Sequence, residues 1–163
     1  MAADILDNLI VLKVNKTTCE DVLEELSKAA INVGFAREGY HKAILEREAK
    51  YPTGLHIPLI EVAIPHADAE WAIKPSLTIG ILETPVAFGS MDGSGGDVMA
   101  GLVFMLTIEE PKDHIDFLRA FSNVMGQPEI LVEFARTANP VLILEKIRAN
   151  MPERPKIAQS IDK

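Results

Sequence analysis

The stretch LVFMLTI at residues 102–108 decides the fold, because six of its seven residues are apolar. A strand that is covered on one face alternates apolar with polar residues, whereas a strand that is covered on both faces is apolar throughout. The stretch therefore predicts a central strand with other parts of the chain packed on both of its faces.

Strands and helices alternate outward from this stretch. Short apolar runs predict three further strands, at residues 9–14, 62–64 and 77–82. Helical spacing of apolar residues predicts helices from Cys19 to about Gly34 and at residues 38–50, 111–125, 128–137 and 140–151. Such alternation indicates the α/β class, with a small mixed sheet and helices on both of its faces. The order of the strands does not follow from the pattern.

Local signals support these boundaries. The threonines at residues 17–18 and the acids at residues 20–21 form a capping-box pattern at the start of the first helix. Cys19 lies on the apolar stripe without a basic neighbour, so we interpret it as an inert core thiol. The glycine-rich stretch GSMDGSGGD at residues 89–97 lacks basic residues and a Walker motif, and is typical of a turn.

Composition restricts the function classes. The chain has 163 residues, 48% of them apolar, and a net charge of −8. An acidic chain disfavours nucleic-acid binding, and no apolar run reaches the roughly 18–20 residues of a membrane span. A single cysteine excludes an internal disulfide, and the acidic start is unlike a signal peptide. We expect a cytoplasmic protein with one domain at residues 1–150 and a polar tail at residues 151–163.

Arg47 breaks the apolar pattern of the second predicted helix. It shares its face with four apolar or aromatic residues: Tyr40, Ala43, Ile44 and Tyr51. An inward-facing guanidinium requires an anion or a carboxylate. In the alternative interpretation, Arg47 extends to solvent near the helix end or pairs with Glu46 or Glu48.

Two histidines are candidates for the chemistry. His66 follows a predicted strand in VAIPHAD, at the kind of strand end where α/β sheets place ligands, and a neutral imidazole is a good nucleophile. His114 lies in the first turn of the predicted helix at residues 111–125, where it could bind a phosphate. The alternatives are an exposed turn histidine for His66 and a core histidine for His114.

Other histidine chemistry has less support. The pair His66 and Asp68 could begin a metal site, but neither HExxH nor CxxC is present. We interpret His41 as solvated. His56 lies in a predicted loop, and the pattern does not decide whether His56 has a functional role. No metal and no cofactor is predicted.

Three motifs follow one another along the chain: EREAKYPTGL at residues 46–55, VAIPHAD at 62–68 and KDHIDFLRAFSNVM at 112–125. Together they resemble the fructose–mannitol–galactitol class of enzyme IIA in the bacterial phosphoenolpyruvate-dependent sugar phosphotransferase system. The resemblance covers roughly residues 8–150, and the first two motifs look most like the galactitol-type branch.

The resemblance implies a fold, a function and a set of site residues. The family fold is a three-layer α/β/α sandwich. His66 matches the phosphorylated histidine, which receives phosphate from the histidine-containing phosphocarrier protein and passes it to a cysteine of a IIB partner of the membrane IIC component. His114 and Arg47 match the second histidine and the arginine of the pocket. Asp68 departs from many relatives, which carry glycine or a small polar residue there, so its effect on His66 is open.

Two alternative functions compete with a phosphocarrier of sugar or polyol uptake. One is a nitrogen-type regulatory IIA module that binds its targets according to its phosphorylation. The other is a metal-dependent hydrolase that uses His66, Asp68 and His114, for which the ligand spacing is missing.

Overall fold

A five-stranded mixed sheet forms the middle layer of the computed structural model, which describes residues 5–151. Its strands are β1 (Leu9–Val14), β2 (Gly54–Leu55), β3 (Glu61–Ala63), β4 (Ser76–Gly89) and β5 (Asp97–Thr107). They lie in the order β1-β4-β5-β3-β2. The pairs β1–β4 and β3–β5 are parallel, and the other two pairs are antiparallel.

The stretch at residues 102–108 forms the second half of the central strand β5, as predicted, although β5 begins earlier, at Asp97, and ends at Thr107, before Ile108. Leu102, Phe104 and Leu106 pack into the core on one face of the sheet, and Val103 and Met105 pack into the core on the other. Both faces of the strand are therefore covered, which accounts for its apolar sequence.

Five α-helices within residues 5–151 form the two outer layers. They are α1 (Cys19–Asn32), α2 (Tyr40–Lys50), α3 (Ile115–Met125), α4 (Pro128–Thr137) and α5 (Pro140–Ala149). The first two contribute to one core cluster, and the last three contribute to the other. The predicted three-layer α/β/α sandwich with a mixed sheet is confirmed.

The ends of α1 follow the local signals in the sequence. The Thr18 hydroxyl accepts a hydrogen bond from the Asp21 backbone N–H at 3.2 Å. Gly34 adopts a φ of +85°, and the Phe35 N–H donates to the Ala30 carbonyl at 2.9 Å. The left-handed conformation of Gly34 turns the chain so that the Phe35 N–H can bond this terminal carbonyl, and the helix ends there.

Several predicted boundaries differ from the structure. The strand predicted at residues 77–82 continues to Gly89, with an irregular register between Ile81 and Val86 that interrupts the apolar pattern. The two-residue strand β2 lies in a stretch predicted as loop. The helix predicted from Pro111 begins as a 3₁₀ turn over Pro111–His114, so His114 is the N-cap of α3 and not part of its first turn.

Residues 5–151 contain no helix that is long and apolar enough to cross a bilayer. The predicted polar tail at residues 151–163 lies, except for Met151, outside the described residues.

Candidate functional site

A cavity of about 610 Å³ lies where three segments of the chain meet. The end of α2 with the residues after it forms one wall, the turn after β3 contributes His66, and the β4–β5 turn forms the opposite side. Its lining includes Arg47, Lys50, Tyr51, Thr53, His66, Ser90 and Asp97. The structure therefore brings two of the three predicted site residues, Arg47 and His66, to one cavity.

His66 is held by the backbone at the edge of the sheet. It forms a parallel bridge with Leu106 of β5, whose N–H donates to the Pro65 carbonyl at 3.1 Å. The His66 Nδ1 atom lies 3.0 Å from the Ile64 carbonyl oxygen. Since a carbonyl only accepts hydrogen bonds, Nδ1 carries a proton, and in the neutral ring Nε2 keeps its lone pair. The half-buried ring is therefore held through Nδ1, and Nε2 is the nitrogen that this contact leaves free.

Arg47 lines the same cavity as His66. Its Nη1 donates to Asp68 Oδ1 at 3.0 Å, and its Cζ lies 5.1 Å from the centre of the Tyr51 ring. Its Nε is buried, and among residues 5–151 it has no hydrogen-bond partner. The predicted alternative of a pair with Glu46 or Glu48 is wrong, because Asp68 from the neighbouring turn takes that place.

Glu48, and not Arg47, occupies the inward-facing position of α2. It follows Tyr40 and Ile44 at four-residue spacing and is 6% exposed. Its two carboxylate oxygens accept hydrogen bonds from the Thr53 N–H and the Thr53 hydroxyl, both at 2.8 Å. Burial raises the pKa of the Glu48 carboxyl, although the Thr53 donors and nearby His66 oppose the shift. The four-residue spacing of Glu48 from Tyr40 and Ile44 is the signal in the sequence that indicates this position.

His114 is not part of this cavity lining. It is 8% exposed and ends the 3₁₀ turn that follows β5, the strand that also pairs with His66. Its ring makes no hydrogen bond to another residue of the described range 5–151. The predicted alternative of a core histidine held by a backbone carbonyl is therefore not found.

The glycine-rich stretch is a turn, as predicted, but it also lines the cavity. Hydrogen bonds from the Ser90 hydroxyl and the Ser94 N–H lower the pKa of Asp92 to about 2. The Met91 N–H donates to the Gly54 carbonyl at 2.8 Å, which ties this turn to the segment after α2. No local pattern of residues predicts this long-range approach.

The remaining candidates lie elsewhere or are occupied. His56 Nδ1 is 2.6 Å from Glu61, and His41 Nε2 is 3.6 Å from Glu24. Burial, with carboxylates nearby, raises the pKa of Cys19 to about 12, in agreement with an unreactive thiol. Within the described part of the chain, no group of three or more histidine, cysteine or acidic residues is arranged to hold a metal ion.

A second cavity of about 560 Å³ adjoins the first and shares Arg47, Lys50 and Tyr51 with it. Asp68, Glu70 and Trp71 line its other side. The first cavity is thus lined by the His66 imidazole and by the Arg47 guanidinium, whose Nε has no hydrogen-bond partner within residues 5–151. Such an arrangement can attack an electrophile and hold an anion in place.

Known proteins show the same family and fold. The chain is 28% identical to the galactitol-specific EIIA component of the Escherichia coli (strain K12) phosphotransferase system over 111 residues, or 68% of this chain and 73% of that protein. Enzyme IIAMtl of Escherichia coli, solved in complex with phosphorylated enzyme IIBMtl, superposes with a TM-score of 0.68 at 20% identity, covering 88% of this chain and 95% of that one.

A regulatory protein shares the fold as well. Nitrogen regulatory protein IIA-Ntr from Neisseria meningitidis superposes with a TM-score of 0.67 at 19% identity, covering 87% of this chain and 94% of that one. The family model described as "Phosphoenolpyruvate-dependent sugar phosphotransferase system, EIIA 2" matches residues 5–150. This match spans nearly the whole chain, so the chain belongs to the EIIA 2 family of the phosphoenolpyruvate-dependent sugar phosphotransferase system.

Proposed function

We propose that this chain is a phosphocarrier that takes a phosphoryl group onto His66 Nε2 from the histidine-containing phosphocarrier protein. It then passes the group to a cysteine of a IIB partner, which serves the membrane IIC component of a sugar or polyol permease. The observation that carries this proposal is the hydrogen bond between His66 Nδ1 and the Ile64 carbonyl, at 3.0 Å. In the neutral ring that bond leaves Nε2 free to act, in a cavity that Arg47 also lines.

The transfer needs little covalent work from the protein. The Nε2 lone pair attacks the phosphorus atom while the bond from phosphorus to the donor histidine breaks, and the donor nitrogen recovers the electron pair. In the second step a cysteine thiolate of the partner attacks the phosphorus, and the electron pair of the breaking bond returns to Nε2. The Nδ1–H remains hydrogen-bonded to the Ile64 carbonyl oxygen throughout, and this acceptor stabilises the positive charge that the imidazole gains.

Arg47 supplies the charge that the transferring oxygens require. Its buried Nε has no partner within residues 5–151, which is costly unless a ligand accepts the hydrogen bond. A phosphoryl oxygen is such an acceptor, and an arginine can offer two parallel donors to it. We therefore assign Arg47 to binding the phosphoryl group.

His114 is the proposed second imidazole of the site. Its turn follows β5, the strand that also positions His66, and its ring makes no hydrogen bond within residues 5–151. A donor from this ring to the phosphoryl oxygens would stabilise the charge that develops during transfer. Since it lies outside the cavity lining, we expect it to assist onward transfer and not to carry the phosphate.

Peptide mapping after phosphorylation tests these assignments. The protein is incubated with phosphoenolpyruvate, enzyme I and the phosphocarrier protein, and the adduct is located by mass spectrometry. His66→Ala should abolish the adduct, which is acid-labile and base-stable as a phosphoramidate. His41→Ala is the matched control, because His41 is paired with Glu24 away from the cavity. An adduct on His114, or one retained in His66→Ala, would overturn the assignment.

His114→Ala should still accept phosphate but should donate it to IIB about 10²–10³-fold more slowly, the loss typical of one removed charge-stabilising donor. Arg47→Lys keeps the charge but loses the planar pair of donors, so transfer should slow in a folded protein. Arg119→Lys, an exposed arginine of α3, provides the control. Unchanged transfer in Arg47→Lys would remove Arg47 from the site.

The nitrogen-type regulatory alternative keeps the phosphorylation and changes its use. It is supported by the shared fold of the regulatory IIA, whereas the galactitol-type relative favours transport. Purified phosphorylated protein should transfer its label to a galactitol-type IIB. A phosphorylated protein that transfers nothing to IIB and instead binds a target only in one phosphorylation state would favour regulation.

A further inference from the structure

Asp68 is the only residue within 5–151 that forms a hydrogen bond with the Arg47 guanidinium. The two residues are 21 positions apart in the chain, and Asp68 Oδ1 receives the Arg47 Nη1 donor at 3.0 Å. We infer that Asp68 is a positioning residue, which holds Arg47 by Nη1 so that the opposite edge of the guanidinium can bind the phosphoryl group. This inference rests on the proposed function.

The use of the Asp68 carboxylate is unusual for its position. Asp68 is the N-cap of the 3₁₀ turn Ala69–Trp71, where an aspartate normally accepts hydrogen bonds from the backbone N–H groups of the turn. Its side chain makes no such cap hydrogen bond. The carboxylate is directed to Arg47, so its interaction serves the cavity and not the local turn.

The geometry of the guanidinium separates the two roles. The two edges of a guanidinium can each make a paired contact with an anion, and Nε and Nη2 form one of them. Asp68 occupies Nη1, whereas Nε is buried without a partner within residues 5–151. The Arg47 Cζ also lies over the Tyr51 ring, 5.1 Å from its centre. The Nε–Nη2 edge makes no hydrogen bond within residues 5–151, and it is the edge that we assign to the ligand.

This contact resolves the question that the sequence left open about Asp68. The carboxylate makes no hydrogen bond to His66, whose Nδ1 is bound to the Ile64 carbonyl. Asp68 therefore does not orient the imidazole directly. It acts on the phosphoryl group through Arg47, as a counter-charge at Nη1, away from the Nε–Nη2 edge.

Initial rates of phosphoryl transfer from the phosphorylated phosphocarrier protein test the inference. The Asp68 side chain is 69% exposed, and exposed ion pairs are weak, so we expect Asp68→Ala to lower the maximal rate by about three- to fivefold. The KM for the phosphocarrier protein should change by less than about twofold, because positioning affects the transfer step and not docking. Asp68→Asn keeps an oxygen acceptor for Nη1 and should recover part of the rate.

Two controls separate positioning from a general effect of charge. Glu38→Ala removes an exposed carboxylate that lines neither cavity, and it should leave the rate within about twofold of wild type. In an Arg47→Lys background, Asp68→Ala should have no further effect, because residues that act through one another are not additive.

The outcomes are distinguishable. If the unmutated protein is phosphorylated normally and Asp68→Ala has an unchanged rate, the inference about Asp68 is refuted and the proposed function stands. A faster rate in Asp68→Ala would show that the carboxylate competes with phosphate for Arg47, and it would overturn positioning. Positioning would also be overturned if Asp68→Asn transferred phosphate no faster than Asp68→Ala. The same conclusion would follow if the loss in Asp68→Ala appeared only as a raised KM, with an unchanged maximal rate. Absence of any phosphorylation in the unmutated protein would refute the proposed function together with the inference.

Discussion

Replacing Glu48 should separate the value of its hydrogen bonds from the cost of its buried charge. Glu48 is 6% exposed and Thr53 is 2% exposed, and the carboxylate accepts both Thr53 donors at 2.8 Å. In Glu48→Gln, the amide oxygen can accept from the Thr53 N–H while the amide NH₂ donates to the Thr53 hydroxyl, because a hydroxyl also accepts. Both contacts can therefore survive without the charge.

Glu48→Ala leaves two buried donors of Thr53 unpaired. Each unpaired buried donor costs roughly 1–3 kcal/mol, so for the two donors we expect a loss of about 2–6 kcal/mol in the free energy of unfolding. Glu48→Gln should stay within about 1 kcal/mol of wild type at neutral pH. Urea unfolding of the three proteins, compared at equal m-values, measures the difference. A Glu48→Gln protein as unstable as Glu48→Ala would refute the hydrogen-bond argument.

The pH dependence of the free energy of unfolding provides a second test of the role of Glu48. Burial raises the pKa of Glu48 above its ordinary value of 4.5 in the folded state. The folded protein therefore binds a proton more tightly there than the unfolded chain does. The associated stability is present below pH 4.5 and is lost as the pH rises through the folded pKa. Wild type should lose stability relative to Glu48→Gln over that range, and a relative gain would contradict the sign.

Three further predictions concern other features of the fold. Gly54→Ala should destabilise by more than about 3 kcal/mol in urea unfolding, because a Cβ would lie 2.5 Å from the Gly89 carbonyl oxygen and 2.8 Å from Val98 Cβ; a near-normal midpoint would contradict this. Native Cys19 should react with iodoacetamide at pH 8 about a thousandfold more slowly than in the unfolded chain, since its pKa rises from 9.0 to about 12; equal rates would show an accessible thiolate. Leu59→Asn should stabilise by about 1 kcal/mol, because Leu59 is 75% exposed at a φ of 73° that asparagine tolerates better; a lower melting temperature would refute it.

The sequence predicts those parts of the fold that depend on periodicity and local hydrogen bonds. The central strand at residues 102–108, the cap at Thr18 and the end at Gly34 follow from neighbouring residues alone. The strand order depends on long-range pairing, and the weak strand β2 has only two residues, so neither had a signal in the local pattern.

The site shows the same division. His66 at a strand end was predicted, and it does line the cavity with Arg47. The partner of Arg47 was predicted from neighbours on its helix, whereas Asp68 comes from a different segment. The four-residue spacing of Glu48 from Tyr40 and Ile44 indicates an inward-facing position, but its charge favours an exposed one, so the sequence alone did not predict its burial.

The hydrogen bond from His66 to Ile64 spans only two residues, across Pro65. The hydrogen bond that fixes one ring nitrogen of His66 is thus contained in a tripeptide, whose proline restricts the backbone to a narrow range. No residue of the five helices takes part in this contact. Under the proposed function, two successive protein partners would therefore meet an imidazole that is held through the same nitrogen.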